Sequence, residues 1–303
     1  MAIGRVSTYG LQQTTLRDSA RTQEQLSQLQ IQLSSGLKAQ TFEGIANQTE
    51  QYLQLDSRIS RTRLFTENNR VAITRMQTTD NILSQSIETV TSLKSLIMQR
   101  RNGAIAGNMA FPEQLEGVWK RLTAELNTTL EGRYLFSGTR TDTPPIKSSP
   151  FPTLRVDGVP DDGYYSGSSD DMTIRADDNI DITYNVRANE PAFQKVFAAM
   201  AMAKKGHETG NDQDLTKAFE LAEQGLNEVI SVRARVSSNK LSLEQIVERQ
   251  NSLTLYWRGV KEEISNTDLV SVSTQVAVNQ GVLQASFQAF ARINSLRLVD
   301  FLR

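Results

Sequence analysis

The 303-residue chain balances 33 lysines and arginines against 34 aspartates and glutamates, and 38% of its residues are hydrophobic. This composition is typical of a folded protein, and it excludes a global positive field of the kind that holds nucleic acid or an anionic membrane. The chain contains no cysteine, which excludes disulfides, thiolate nucleophiles and cysteine-ligated metals.

Apolar spacing near the amino terminus predicts two successive helices. Leucines at steps of three or four share one face of the first helix: Leu26, Leu29, Leu33 and Leu37. Gly36 interrupts this stripe, and a turn is expected around residues 39–46. A second stripe follows at helical spacing: Leu83, Ile87, Val90 and Ile97.

The prolines separate the middle of the chain from its flanks. All seven fall between Pro112 and Pro191, so both flanks are free of this helix breaker. A third helix is predicted to start at Pro112, because proline suits a first helical turn, and to stop at Gly132. Its apolar face comprises Leu115, Trp119, Leu122, Leu126 and Leu130.

Residues 139–190 differ in composition, with ten acidic residues against five basic ones. Strict apolar alternation predicts one strand: Ile180, Ile182, Tyr184 and Val186. Residues 172–174 are a second strand candidate, and the turn pair Asp157-Gly158 follows a third at residues 154–156. We therefore expect a small β domain, as a knob that faces solvent.

The helical pattern returns at Pro191. Residues 192–203 are predicted as a short helix and residues 204–211 as a loop. A long heptad repeat follows, which predicts a coiled-coil seam. Its a positions are Leu215, Ala222, Val229, Val236, Leu243, Gln250, Trp257 and Ile264, and its d positions are Ala218, Gly225, Val232, Asn239, Ile246, Leu253 and Val260.

The seam contains two polar residues, and a coiled coil is one of two possible packings for its helix. Asn239 and Gln250 are polar seam positions, and we expect them to fix the register of packing at some cost in stability. One helix of a broad globular bundle is the alternative to a coiled coil.

A break at residues 265–268 precedes the last predicted helix, with Thr267 or Asp268 as its N-cap. Apolar residues then recur along one face: Leu269, Val272, Val276, Leu283, Phe287, Phe290 and Ile293, followed by Leu296, Leu298, Phe301 and Leu302. A terminus this apolar needs a partner, because alone in water its stripe has nothing to pack on.

Antiparallel return of the flanks pairs the first helix with the last and the second with the heptad helix. The predicted fold is mainly α with a small β insert. The two flanks form a long antiparallel coiled coil or helical bundle around a central β-rich domain.

Signs of catalytic chemistry are few. The one histidine, His207, lies in a polar, glycine-flanked stretch that is predicted as a surface loop, without a second ligand or an orienting partner nearby. The pairs Asp161-Asp162 and Asp170-Asp171 do not fit a calcium-binding EF-hand loop. We therefore predict no catalytic residue, no cofactor and no metal site.

Four segments resemble one known family. Residues 32–37, Gln-Leu-Ser-Ser-Gly-Leu, resemble the amino-terminal signature of the bacterial flagellin family, and residues 279–287 and 298–303 are similar to its last helix. Residues 132–141 are most similar to the family members that join the flagellar hook to the filament. The motif residues are Leu33, Ser34, Ser35, Gly36, Leu37, Gly132, Arg133, Tyr134, Phe136 and Gly138.

This resemblance implies a structural subunit of the bacterial flagellum, a junction adaptor between hook and filament that motility requires. The alternative is a flagellin, the polymerising subunit of the filament, and a remote alternative is enzyme activity in the insert. The implied partners are copies of itself, hook-associated protein 1 or the hook side, flagellin and an export chaperone, without nucleic acid or membrane. The implied location is extracellular, after export without a cleaved signal peptide.

The resemblance also implies a division of the chain. Assembly helices occupy residues 1–40 and 266–303, the two parts of a helical rod occupy 41–138 and 191–265, and the β-rich insert occupies 139–190. The expected assembly interface is Leu26, Leu29, Leu33, Leu37, Leu269, Val272, Val276, Leu283, Phe287, Phe290, Ile293, Leu298 and Leu302.

Overall fold

The computed structural model describes residues 3–102, 110–147, 151 and 163–301, without the side chains of residues 3–9, 11, 12 and 293–301. Its described helices are α1 Ile3–Ser35, a 3-10 helix Phe42–Gln48, α2 Thr49–Arg101, α3 Phe111–Leu126, α4 Pro191–Thr209, α5 Asp212–Ser265 and α6 Leu269–Phe301. Its described strands form two antiparallel hairpins: β1 Thr129–Leu130 with β2 Arg133–Tyr134, and β3 Thr173–Asp177 with β4 Ile180–Thr183. The predicted mainly α fold with a small β insert is confirmed.

The chain divides into two compact units. The terminal unit comprises residues 1–60 and 254–303, and the central unit comprises residues 61–253. Each unit is described separately below.

The predicted pairing of the second helix with the heptad helix is confirmed in the central unit. Lys94 forms an ion pair with Glu223, Asp80 with Arg233, and Thr66 donates a hydrogen bond to Gln250. The partner numbers on α5 rise as the residue numbers on α2 fall, so the two helices are antiparallel. Eight apolar seam positions of α5 are buried: Leu215, Ala218, Ala222, Val229, Val232, Val236, Leu243 and Ile246.

The run of buried seam positions ends before the heptad pattern does. Leu253, a predicted d position, is 39% exposed, whereas Gln250 just before it is 1% exposed. The predicted continuation of the buried seam through Leu253 is therefore wrong.

Two predicted helix ends were also wrong. The third helix ends at Leu126, and Gly132 instead forms the two-residue turn of the β1–β2 hairpin, where Glu131 and Gly132 have φ of +53° and +75°. Positive φ at both central residues is what a type I′ hairpin turn requires. Helix α4 continues through the predicted loop to Thr209, because Gly210 (φ +66°) supplies its left-handed C-cap.

The two strands predicted here pair as the β3–β4 hairpin, with Ile174 opposite Ile182, but β4 ends at Thr183, before the predicted Tyr184 and Val186. The hairpin is not a knob surrounded by solvent, because Ala176 is fully buried. The side chains of Asn69 and Gln250 donate to the Ala176 carbonyl, and Asn239 donates to the Thr183 carbonyl. The two polar seam residues of α5 therefore hold the hairpin on the helices. The strand and turn predicted at residues 154–158 lie outside the described residues.

Candidate assembly interface

The helices that carry the predicted interface form a pair in the terminal unit. α1 and α6 pack against each other. Where α1 ends and α6 begins, the N–H of Thr267 donates to the Gly36 carbonyl at 2.9 Å, and the N–H of Lys38 donates to the Ser265 carbonyl at 2.8 Å. Because the end of one helix meets the start of the other, they are antiparallel. The predicted pairing of the first and last helices is confirmed.

The motif at residues 33–37 ends α1. Gly36 has φ of +72°, in the left-handed region that glycine enters without strain, and its N–H donates to the Gln32 carbonyl at 2.8 Å. The N–H of Leu37 donates to Ser35 Oγ at 3.2 Å. These residues therefore stop the helix and turn the chain toward the start of α6.

Asp268 begins α6. Its Oδ1 accepts hydrogen bonds from the N–H groups of Val270 and Ser271, at 3.0 and 3.2 Å. These are the free N–H groups of a first helical turn, which an N-cap carboxylate satisfies. Of the two predicted cap candidates, Thr267 and Asp268, the structure selects Asp268.

The predicted interface residues differ in exposure. Leu29 and Val272 are buried, and five others are half-buried: Leu26, Leu37, Val276, Leu283 and Phe290. Leu33, Leu269 and Phe287 are 40%, 49% and 51% exposed. The side chains of Ile293 and Leu298, and the whole of Leu302, lie outside the described residues.

The same two helices expose further apolar side chains that the sequence analysis missed: Leu16, Ile31, Val270, Val278 and Val282. Val270 is the most exposed of these, at 76%. On α6, Val270, Val278 and Val282 recur at steps of eight and four residues. They form a second apolar run beside the one that was predicted. A surface this rich in exposed apolar side chains is typical of an interaction site.

Contacts at the base of the helix pair are polar. Lys38 Nζ donates to the Glu263 carbonyl at 2.5 Å, which joins the segment after α1 to the end of α5. Lys261 donates to Asp56 and lies 4.8 Å from the centre of the Tyr52 ring. The hydrogen bond with Asp56 raises the pKa of Lys261, so this lysine stays charged.

The second motif, at residues 132–138, lies in the central unit and is structural. Phe136 is fully buried and packs edge-on against Phe193, with ring centres 6.4 Å apart. Gly138 has φ of +65°, and a Cβ on it would lie 2.2 Å from the Ser168 carbonyl oxygen. Arg133, by contrast, is exposed. The motif therefore folds the chain beside α4, and the structure does not bring it together with residues 33–37 in one unit.

His207 is not in a surface loop as predicted. It lies in the last turn of α4, half-buried, where its ring stacks on Phe111 and its Nδ1 accepts a hydrogen bond from Arg100 Nε at 2.7 Å. The histidine thus has a packing role between helices. Within the described residues, no group of three or more His, Cys, Asp or Glu side chains is placed to hold a metal ion.

Comparison with known proteins finds a match for the amino-terminal part of the chain. Residues 6–141 match the profile of the bacterial flagellin N-terminal helical region. Over these residues the chain is similar to the bacterial flagellin family. Comparison with curated proteins finds no match. Over the described residues, no helix contains a stretch apolar enough to span a bilayer.

Solved structures with this flagellin-family fold include hook-associated proteins. A putative flagellar hook-associated protein from Vibrio parahaemolyticus is 16% identical, with a TM-score of 0.59 over 74% of this chain and 100% of that one. Flagellar hook associated protein-3 from Legionella pneumophila is 12% identical, with a TM-score of 0.57 over 70% of this chain and 98% of that one. At these identities the likeness establishes the fold. The similarity of residues 6–141 to flagellin indicates a protein of the bacterial flagellum, among copies of itself and other flagellar proteins.

Proposed function

We propose that the protein is a structural junction adaptor that joins the flagellar hook to the filament. The observation that carries this proposal is the apolar surface of the antiparallel α1–α6 pair, which a single chain leaves exposed. The junction role, rather than any other flagellar role, is supported by the fold shared with two hook-associated proteins over nearly their whole length.

Burial of the α1–α6 surface drives incorporation. A large apolar side chain that is fully buried contributes about 1.5–3 kcal/mol. Leu33, Val270 and Phe287 are 40%, 76% and 51% exposed, so each retains a substantial part of that contribution for contact with a neighbour. Several such residues together offset the entropy lost when the terminal helices become ordered in the assembly.

The proposal extends to the partners and to the division of the chain. Residues 1–40 and 266–303 contact neighbouring subunits, and residues 41–138, 139–190 and 191–265 form the body that the terminal helices hold in place. Hook-associated protein 1 or the hook lies on one side and flagellin on the other. An export chaperone accompanies the subunit before it reaches the outside of the cell, and the protein catalyses no reaction.

A filament subunit is the second candidate, because the matched profile is that of flagellin itself. The two candidates differ in self-polymerisation. A flagellin elongates a filament seed without limit, whereas a junction adaptor stops after a short ring or oligomer unless a hook end is present.

The test uses purified full-length protein, incubated alone, with sonicated filament fragments and with isolated hooks. Sedimentation and negative-stain microscopy measure the products. We expect binding at hook ends and no long filaments from the filament seeds. Long filaments growing from those seeds would assign the protein as a flagellin, and no binding to either end would contradict both candidates.

A further inference from the structure

A polar cluster lies between α2 and α3 in the central unit. Ser86 and Thr89 are buried on one face of α2, and Glu125 of α3 projects toward them. Thr89 Oγ1 donates a hydrogen bond to Glu125 Oε1 at 2.6 Å. The surroundings are apolar, with Val90 and Leu122 fully buried nearby along the two helices. A carboxyl group is therefore held in a helix–helix contact that is otherwise a hydrophobic core.

Two atoms of this cluster have no hydrogen-bond partner. Glu125 Oε2 and Ser86 Oγ are both buried, and neither forms a hydrogen bond within the described residues. Ser86 nevertheless lies beside the same carboxyl group. Buried polar atoms without partners are rare in folded proteins, because each costs free energy of desolvation. A proton on Oε2 would remove the charge from the carboxyl group and so lower the free-energy cost of its burial.

The charges around Glu125 do not stabilise an ionised carboxylate. No ion pair in the described residues includes Glu125, although Arg121, one turn earlier on α3, favours the charged form from a distance. Glu88 of α2 opposes it. Burial raises the pKa of Glu125, against the smaller effect of the hydrogen bond from Thr89.

We propose that Glu125 is a buried proton-binding site. A single solvent proton binds reversibly at Oε2, and Oε1 continues to accept from Thr89. Loss of the proton leaves a desolvated negative charge between α2 and α3 and loosens their contact. The packing of the central unit thus responds to external pH, independently of where in the flagellum the protein sits.

The direction of the response follows from linkage. Because the pKa of Glu125 is higher in the folded chain than in the unfolded chain, the folded state binds the proton more tightly. The stabilisation that this proton provides is complete below the pKa of glutamate in the unfolded chain, about 4.3. It is lost as pH rises through the pKa of Glu125 in the folded chain.

The test compares the full chain with Glu125→Gln, whose neutral amide keeps the shape of the protonated acid. The Tm of each protein is measured from about pH 4 to pH 8. We expect the wild-type Tm to fall relative to that of Glu125→Gln as pH rises.

Glu116→Gln is the matched control on α3, because Glu116 is exposed, pairs with Lys120 and has a lowered pKa. It should not produce this change. Parallel curves for wild type and Glu125→Gln would overturn the proposal.

A second measurement does not depend on the variant folding. Carbon-13 NMR of the glutamate side-chain carboxyl carbons in the wild-type chain follows each group through its titration. We expect one carboxyl to titrate at higher pH than the others, and that signal to be missing from Glu125→Gln. Titration of every glutamate together at its ordinary pH would also overturn the proposal.

Discussion

The side-chain amides of Asn69 and Gln250 donate to one carbonyl oxygen, that of Ala176, at 2.9 and 2.8 Å. Asn69 belongs to α2, Gln250 to α5 and Ala176 to β3. A single backbone atom thus joins both long helices to the hairpin. Because all three residues are buried, the register of the two helices and the position of the hairpin are fixed together.

Replacing Gln250 with leucine should therefore destabilise the central unit. The change removes one of two donors to the Ala176 carbonyl and an acceptor that Thr66 and Asn69 share, so three buried polar groups each lose a hydrogen bond. We expect a loss of about 1–3 kcal/mol in the free energy of unfolding, measured by urea denaturation.

Hydrogen exchange of the β3 amides reports the same change locally, and these amides should exchange faster in Gln250→Leu. Gln245→Leu is the matched control, because Gln245 is exposed on the same helix. An equal loss of stability in both variants would show that the shared carbonyl has no special role.

Gly138 gives a prediction about the second motif. Gly138→Ala should destabilise the protein strongly, because the new Cβ would lie 2.2 Å from the Ser168 carbonyl oxygen and the backbone has φ of +65°. Gly117→Ala is the control, since Gly117 lies within α3 with nothing near its Cβ position. That change should stabilise the helix by about 0.5–1 kcal/mol. Thermal unfolding measures both, and a Gly138→Ala protein as stable as wild type would contradict the crowding argument.

Local patterns predicted much of this fold. The apolar heptad positions from Leu215 to Ile246 are buried, because the spacing of apolar residues along a helix is visible in the sequence itself. The pairing of α1 with α6 followed from their two apolar stripes. Asp268 was one of two predicted caps, and sequence offered no reason to choose it over Thr267.

The errors have a common physical cause. Gly132 and Gly210 both have positive φ, and sequence does not distinguish a helix end from a hairpin turn. His207 looked like a loop residue because glycines flank it, but its helix is supported by Phe111 and Arg100, distant in sequence. The docking of the hairpin on Asn69 and Gln250 is equally nonlocal, so no local pattern reveals it.

Acid should weaken the contact between Asp80 and Arg233. Asp80 accepts from Arg233 Nε and Nη2 at 3.0 and 3.3 Å, and from Ser237 at 3.1 Å. The hydrogen bonds from Arg233 lower the pKa of Asp80. The resulting stabilisation is therefore present above the unfolded pKa, about 3.9, and is lost as pH falls through the folded pKa.

Asp80→Asn should accordingly reduce the free energy of unfolding by about 1 kcal/mol at pH 7, after allowance for solvent screening of the half-exposed arginine. The difference from wild type should narrow toward about pH 3. Urea denaturation at both pH values measures it. Asp178→Asn, which breaks the exposed pair with Arg61, is the control and should change little. A difference that stays constant with pH would refute this assignment to Asp80.

The last prediction concerns assembly. Leu283→Asp and Phe290→Asp should each abolish incorporation into the flagellum, because both side chains are half-buried on α6 and a carboxylate there loses its hydration without gaining a partner. The central unit, whose core is separate, should remain folded and soluble in both variants.

Motility in soft agar and electron microscopy of hook ends measure incorporation, and circular dichroism of the purified variants measures folding. Gln284→Asp, an exposed neighbour on the same helix, is the control and should leave motility intact. Normal motility in both apolar variants would refute the assembly role of α6, and loss of folding in the central unit would show that the two units are not independent.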